Sequence, residues 1–262
     1  MADDYLLFQQ DHRGVVTLTL NRPEVHNAFD DLLIGLLIEA IDRIAANPDS
    51  RALVLRSNGK HFSAGADLNW MKRMATLDYE ENLADAGQLA QLMSKLNGLD
   101  VPVLTVVQGA AYAGALGLLC CSDVTIASRR ATFCVSEVKL GLSPAVISPY
   151  VVGVIGERSA RRYFLSAEVF DAVEANRLDL VTEVVDETDL DARAGEIVSN
   201  WCNMGPEALR KTKQLIRRVA RSPIDAGTIG YTSELIASIR VSDEGQEGLS
   251  AFFDKRKPGW QD

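Results

Sequence analysis

Val103-Leu104-Thr105-Val106-Val107-Gln108-Gly109-Ala110-Ala111-Tyr112-Ala113-Gly114-Ala115-Leu116-Gly117 is the stretch on which the reading of this chain turns. Residues 103–107 form an apolar run with no polar alternation. That is the mark of a strand buried on both faces, as in a parallel sheet covered by helices. Gly109 ends the strand. The small-residue loop Gln108 to Gly117 is expected to open a helix that runs on through Cys121. Where a buried strand turns into a helix, unpaired N–H groups and the positive end of the helix dipole point out of the sheet. Taken alone, the segment reads equally well as a helix packed closely through its small residues.

The surrounding chain fits the same plan. Strands are expected at 5–9 and 15–20, joined by a turn at Asp11 to Gly14. Residues 30–46 place Leu33, Leu36, Leu37, Ile41 and Ile44 at helical spacing, and Pro48 stops that helix. Ala52-Leu53-Val54-Leu55 is a second buried strand. A helix follows at 80–97, a third strand at 123–127 and a fourth at 132–134. This alternation from about residue 15 to 135 predicts parallel β-α units, an α/β fold. From about residue 157 onward the pattern is almost entirely helical, with helices at 205–220 and 228–240.

A second loop repeats the logic of the first. His61-Phe62-Ser63-Ala64-Gly65-Ala66-Asp67-Leu68 leaves the 52–55 strand, and Asp67 is placed to cap the helix that follows. Two such loops at the ends of two buried strands can aim two N–H groups at one point, which is an oxyanion hole. A third segment, Phe133-Cys134-Val135-Ser136-Glu137-Val138-Lys139-Leu140-Gly141-Leu142, holds Glu137 among apolar neighbours. Apolar surroundings raise a carboxyl pKa and suit it to proton transfer near neutrality. The plainer alternative is an exposed Glu137 paired with Lys139.

In this order and spacing, the three segments resemble the enoyl-CoA hydratase/isomerase (crotonase) family. Asn21-Arg22-Pro23, Asn27-Ala28-Phe29 and Ala251-Phe252-Phe253-Asp254-Lys255-Arg256 fit the same pattern, so the resemblance spans essentially the whole chain. It implies a ClpP/crotonase-like β-β-α spiral core over 1–200 and a helical C-terminal region over 201–262. That region serves assembly into a homotrimer or a dimer of trimers. It implies that the N–H groups of Ala66 and Gly114 hold the thioester oxygen, and that Glu137 is the catalytic carboxylate. It places Arg22, Ala28, Ala64, Ala66, Asp67, Leu68 and Gly114 along the coenzyme A thioester. It implies no cofactor beyond that substrate, no metal, and neither nucleic acid nor membrane as partner.

The sequence departs from the family pattern at one chemically important place. Typical short-chain hydratases carry a first glutamate three residues after the oxyanion-hole glycine, and here that residue is Gly117. One carboxylate could perform both proton transfers of a hydration in turn, or the substrate or a bound water could supply the missing group. Alternatively, the reaction is a Δ3–Δ2 isomerisation, which needs one base, or the chain only binds acyl-CoA. Ser143-Pro144-Ala145-Val146-Ile147-Ser148-Pro149 replaces a glycine-rich turn. With 113–119 and Ala66-Asp67-Leu68-Asn69-Trp70, it is similar to the subgroup acting on methylglutaconyl-CoA or the longer isohexenylglutaconyl-CoA. Such substrates carry a second carboxylate, for which Ser143, Ser148, Tyr112 or a helix N-terminus are open partners.

Composition sets the bounds. The 262 residues carry 47% apolar side chains and a formal charge of −9. An acidic chain without a basic stripe argues against general nucleic-acid binding. An anionic thioester would need local cations, and Arg22, Arg56, Lys60, Lys72 and Arg73 are the candidates. No run approaches the roughly 18 apolar residues of a membrane span. The acidic Met1 to Tyr5 stretch lacks the form of a secretion signal. Free thiols are expected at Cys120, Cys121, Cys134 and Cys202, and the cytoplasm is the expected compartment. The three histidines are expected in surface or structural roles. The Lys255-Arg256-Lys257 tail reads either as a solvated end or, by the resemblance, as reaching an adjacent subunit's coenzyme A.

Overall fold

The computed structural model describes residues 4–261. A hairpin opens the fold: β1 (Leu6–Gln10) pairs antiparallel with β2 (Val15–Leu20). Asp11 shapes the turn, its Oδ1 accepting from the amides of Arg13 and Val15 at 2.9 and 3.0 Å. β3 (Ala52–Ser57), β4 (Val103–Val107), β6 (Val124–Ser128) and β9 (Glu183–Val185) then add in parallel, in the order β1-β2-β3-β4-β6-β9. A small second sheet holds β5 (Ala110–Tyr112), β7 (Thr132–Cys134) and β8 (Phe170–Asp171). β4 is in the large sheet and β5 in the small one, and β6 and β7 repeat the step. That is the expected β-β-α spiral.

Helices close the faces. α1 (Asp31–Ala46) is capped by Asp30, which accepts from the Leu33 amide, and it buries Leu33, Ile34, Leu37, Ile38, Ile41 and Ile44. α2 (Leu68–Met74) is short and buries Trp70. α3 (Tyr79–Gly98) begins with a capping box between Asp78 and Glu81, which satisfies two otherwise orphaned amides. Its buried stripe is Leu92, Met93 and Leu96. α4 (Gly114–Cys120) is buried through Ala115 to Leu119, and its small residues allow that close approach. α5 (Ser148–Ser166) bends at Gly156, where φ is 75°.

Two sequence expectations need correction. Residues 110–112, read as part of a loop, pair with β7 as a strand, and the helix which that loop opens starts at Gly114. The region after residue 157 is not almost entirely helical, since it contains β8 and β9. Strands of two and three residues are too short to show a period of two.

After α6 (Ala172–Arg177), the chain ends in α7 (Leu190–Cys202), α8 (Pro206–Val219), α9 (Ala226–Arg240) and α10 (Asp243–Phe253). The boundary expected at residue 200 falls in the last turn of α7. α8 docks on the core through Lys213, whose ammonium donates to Asp123 at 2.6 Å and to the Val101 carbonyl at 2.9 Å. α9 buries none of its residues, and Ile224, Val241, Phe252 and Phe253 stand exposed beside it. Among the described residues no helix is long and apolar enough to cross a membrane.

Candidate active site

Three segments far apart in sequence are stitched together by backbone hydrogen bonds. The first loop is held on both sides. Ser63 N–H donates to Ala110 and its carbonyl accepts from Tyr112, while Asp67 N–H donates to Phe29 and Phe29 N–H to Gly65. Gly65 sits at φ 96°, and a Cβ there would lie 3.2 Å from that of Ala113, so the first loop packs directly on the second. Ala113 N–H donates to the Cys134 carbonyl at 2.9 Å, tying the second loop to the segment that carries Glu137.

The amides that this weave leaves free include those of Ala66 and Gly114. Among the described residues, neither Ala66 N–H nor Gly114 N–H donates to any acceptor. Gly114 is the first residue of α4, where an orphan N–H is inherent to helix geometry. The peptide before it is turned by Ala113 at φ 51° and ψ −122°, a conformation that side-chain-bearing residues rarely adopt. Strain of this kind costs about 1–3 kcal/mol and clusters at functional sites. Ala66 and Gly114 line one cavity of about 330 Å³ together with Phe29, Trp70, Leu89 and Glu137.

Glu137 opens a short 3-10 turn, Glu137–Leu140. It is half-buried, and its Oε2 is enclosed without a hydrogen-bond partner. Burial raises its pKa, and the backbone amides at 137 and 136 pull down without cancelling that effect. The alternative pairing with Lys139 does not occur, because the Lys139 ammonium lies 3.9 Å from the Cys134 sulfur instead.

The space beside Gly117 is closed. A Cβ at this position would meet Ile147 Cγ2 at 2.6 Å, Met93 Sδ at 2.8 Å and Met93 Cε at 3.0 Å. Hydrocarbon and sulfur fill the room that a first glutamate would need. Overpacking a fitted core costs about 1–3 kcal/mol, so Gly117→Ala is expected to lower stability by that amount. Chemical denaturation of the purified variant measures it, and an unchanged midpoint would contradict the close packing.

The other expected residues are placed as follows. Arg22 lies buried under the first loop. Its Nη1 donates to the Ala28 carbonyl and meets Asp30, both at 2.8 Å, and its Nη2 meets Asp67 at 3.0 Å. Its charge is therefore committed to internal carboxylates. Asp67 caps α2 through the Asn69 and Trp70 amides, as expected. Ala28 is buried, and Ala64 and Leu68 are exposed. None of Arg22, Ala28, Ala64, Asp67 or Leu68 lines the cavity.

Among the five candidate cations, Arg22, Arg56 and Arg73 are held in ion pairs with Asp30 and Asp67, Asp191 and Asp31 respectively. Lys60 and Lys72 are exposed and without an ion pair among the described residues. Ser143 lines the cavity, whereas the Tyr112 hydroxyl pairs with Thr132 and the Ser148 hydroxyl with the Ala145 carbonyl. His26 and His61 meet edge to face at 5.0 Å, and His61 Nδ1 accepts from the Ala110 amide, a structural role. The four cysteines are free thiols. A larger cleft of about 420 Å³ lies between the β1–β2 hairpin and α7, but its charged side chains pair with one another, Arg13 with Asp11 and Arg56 with Asp191.

Sequence reasoning missed Asp85. It lines the cavity, and its Oδ1 accepts from Trp70 Nε1 at 3.0 Å. The signal was present: Asp85, Leu89 and Met93 recur every four residues on one face of α3. A carboxylate within an inward stripe is the feature to notice.

Comparison with known proteins agrees with this geometry. The profile of the family described as enoyl-CoA hydratase/isomerase matches residues 10–262. A short-chain-enoyl-CoA hydratase of Clostridium acetobutylicum is 30% identical over 246 residues, covering 93% of this chain and 92% of the relative. The 2,3-dehydroadipyl-CoA hydratase of Escherichia coli K12 is 29% identical over 248 residues, covering 94% and 95%. The crystal structure of an enoyl-CoA hydratase from Shewanella pealeana superposes with a TM-score of 0.94 at 50% identity, covering 98% of this chain and 96% of that one. By its sequence, its crotonase fold and its paired loops, this chain belongs to the enoyl-CoA hydratase/isomerase family.

Proposed function

We propose that the protein hydrates 2-enoyl-CoA thioesters. One observation carries this reading: Glu137 with its unpartnered Oε2, and Ala66 and Gly114 with their idle amides, line a single, largely apolar cavity. The thioester oxygen would sit between the two amides. As water adds at C3, charge moves to that oxygen, and fixed donors stabilise it without reorganising. Glu137, whose burial favours the protonated form, would deliver a proton to C2. No cofactor or metal enters the scheme. Of the five candidate cations, Lys60 and Lys72 remain to meet the coenzyme A phosphates.

The acyl group is the finer part of the proposal. Resemblance of the 143–149 segment favours methylglutaconyl-CoA or a longer isoprenoid glutaconyl-CoA. Among the described residues no Lys or Arg lines the cavity. A distal carboxylate would therefore rely on Ser143 or on backbone N–H groups. The competing isomerase reading rests on the closed Gly117 position, which leaves Glu137 without a partner glutamate. Assay of 3-methylglutaconyl-CoA, crotonyl-CoA and a 3-enoyl-CoA separates the possibilities. The reading expects 3-hydroxyacyl-CoA from at least one 2-enoyl substrate. Turnover of the 3-enoyl substrate alone would replace hydration by isomerisation.

Assembly into a trimer or dimer of trimers belongs to the same proposal. Its support is the uncovered apolar surface of α9 and α10, with Phe252 and Phe253 77% and 74% exposed. Solvent-facing aromatics on this scale mark an association surface. Sedimentation equilibrium is expected to give three or six chains per particle, and a monomer would refute this. A cytoplasmic site of action fits the free thiols, and cell fractionation tests it.

A further inference from the structure

The hydration reading leaves one task without an owner. Adding water requires a base for the water proton and an acid for C2. Glu137 can supply the acid. The position three residues after Gly114 supplies nothing, since Met93 and Ile147 occupy its space.

α3 links that closure to a replacement. Met93 seals the Gly117 side, Leu89 lines the cavity one turn earlier, and Asp85 lines it one turn earlier again. Asp85 is half-buried and has no ion pair among the described residues. Its single hydrogen-bond donor is the indole N–H of Trp70, which is 7% exposed and lines the same cavity. Oδ1 is thus fixed by a neutral donor, and Oδ2 has no hydrogen-bond partner among the described residues. Asp85 therefore offers one fixed and one uncommitted carboxylate oxygen at the wall of the cavity that Glu137 also lines. A merely structural carboxylate would gain more from a cation or from several amides. Glu137 and Asp85 are the two carboxylates of this cavity.

We infer that Asp85, oriented by Trp70, is the second carboxylate of the reaction: the base that accepts the proton of the attacking water. This rests on the hydratase reading above. In the step, the water oxygen bonds to C3 while its proton passes to Asp85. The C2–C3 π pair moves into the thioester to form an enolate, whose oxygen lies on the Ala66 and Gly114 amides. Protonated Glu137 then gives its proton to C2. The step ends with Asp85 protonated and Glu137 ionised. After product leaves, one proton returns from Asp85 to Glu137 through solvent, and the net change is addition of one water.

Asp85→Asn tests the base directly, because an Asn oxygen still accepts from Trp70 while the basic group is lost. Two activities are measured in each variant. One is hydration of the best 2-enoyl-CoA. The other is exchange of the C2 hydrogens of a saturated acyl-CoA with deuterated water, which requires only Glu137 and the amides. Asp85→Asn is expected to lower kcat for hydration by about a hundred- to ten-thousandfold. Exchange should fall by no more than about threefold. Trp70→Phe keeps the carboxylate but frees it, so hydration should fall about tenfold and by clearly more than exchange does. Hydration by Asp85→Asn within about threefold of wild type would overturn the inference. So would equal losses of hydration and exchange in both variants, which indicate a structural role. Failure of the underlying reading looks different: Glu137→Gln would then retain hydration, whatever Asp85→Asn does.

Discussion

Glu137→Gln is expected to lower kcat for enoyl-CoA hydration by about a hundred- to ten-thousandfold, the usual contribution of a positioned acid or base. Gln matches Glu in shape but cannot deliver a proton to C2. The substitution should leave the fold intact, because Oε2 has no hydrogen-bond partner to lose. Linkage gives the sign of the stability change. Burial raises the folded-state pKa of Glu137. Its favourable contribution is therefore complete below the unfolded value and is lost as pH rises through the folded value, where the charged form pays a desolvation cost. At neutral pH the Gln variant should be at least as stable as wild type. Steady-state kinetics with thermal unfolding checks both halves. A rate loss accompanied by a large stability loss would point to misfolding instead. KM should move little, since the amides and cavity walls remain.

Arg22→Met is expected to destabilise the protein by about 3–5 kcal/mol, the cost of stripping one partner from a buried ion pair. Arg22 connects the caps of two helices. Asp30 caps α1 and Asp67 caps α2, and the guanidinium bonds to both. It also lies 4.5 Å above the Tyr5 ring. Met preserves much of the volume but leaves two enclosed carboxylates uncompensated. Asp67 directly follows the hole residue Ala66, so hydration should fall along with stability. Burial raises the Asp67 pKa, but the Asn69 and Trp70 amides and Arg22 outweigh it and hold the group below its ordinary value. Stability from Asp67 is thus present above its unfolded pKa and lost as pH falls through the folded one. Without Arg22 part of that depression disappears, and acid unfolding should begin at higher pH. Circular dichroism during acid titration measures the shift, and an unmoved transition would contradict the proposed role of Arg22.

Much of this architecture was legible in sequence. Ala52 to Leu55 and residues 103–107 announce buried parallel strands by apolar runs, and Asp67 announces a helix start. The two loops and Glu137 were readable as chemistry only in combination, because each alone has an ordinary structural explanation. Arg22 reads in sequence as a cation available to an anionic ligand, and burial against Asp30 and Asp67 consumes that charge. Such pairings join residues eight and 45 positions apart, and no local pattern encodes them. At Gly117 the sequence shows a missing carboxylate but not the Met93 and Ile147 side chains that fill its volume. Asp85 was overlooked for a related reason. A single acidic residue on an otherwise mixed helix resembles a solvated face until its neighbour across the cavity is known to be Trp70.

The central claim is that this site adds water across a conjugated thioester. Incubation with a 2-enoyl-CoA in heavy-oxygen water, followed by mass spectrometry of the acyl product, tests it most directly. The account predicts a 3-hydroxyacyl-CoA carrying one solvent oxygen at C3, formed by wild type and suppressed in Glu137→Gln. Release of a rearranged enoyl-CoA with no solvent oxygen would contradict it.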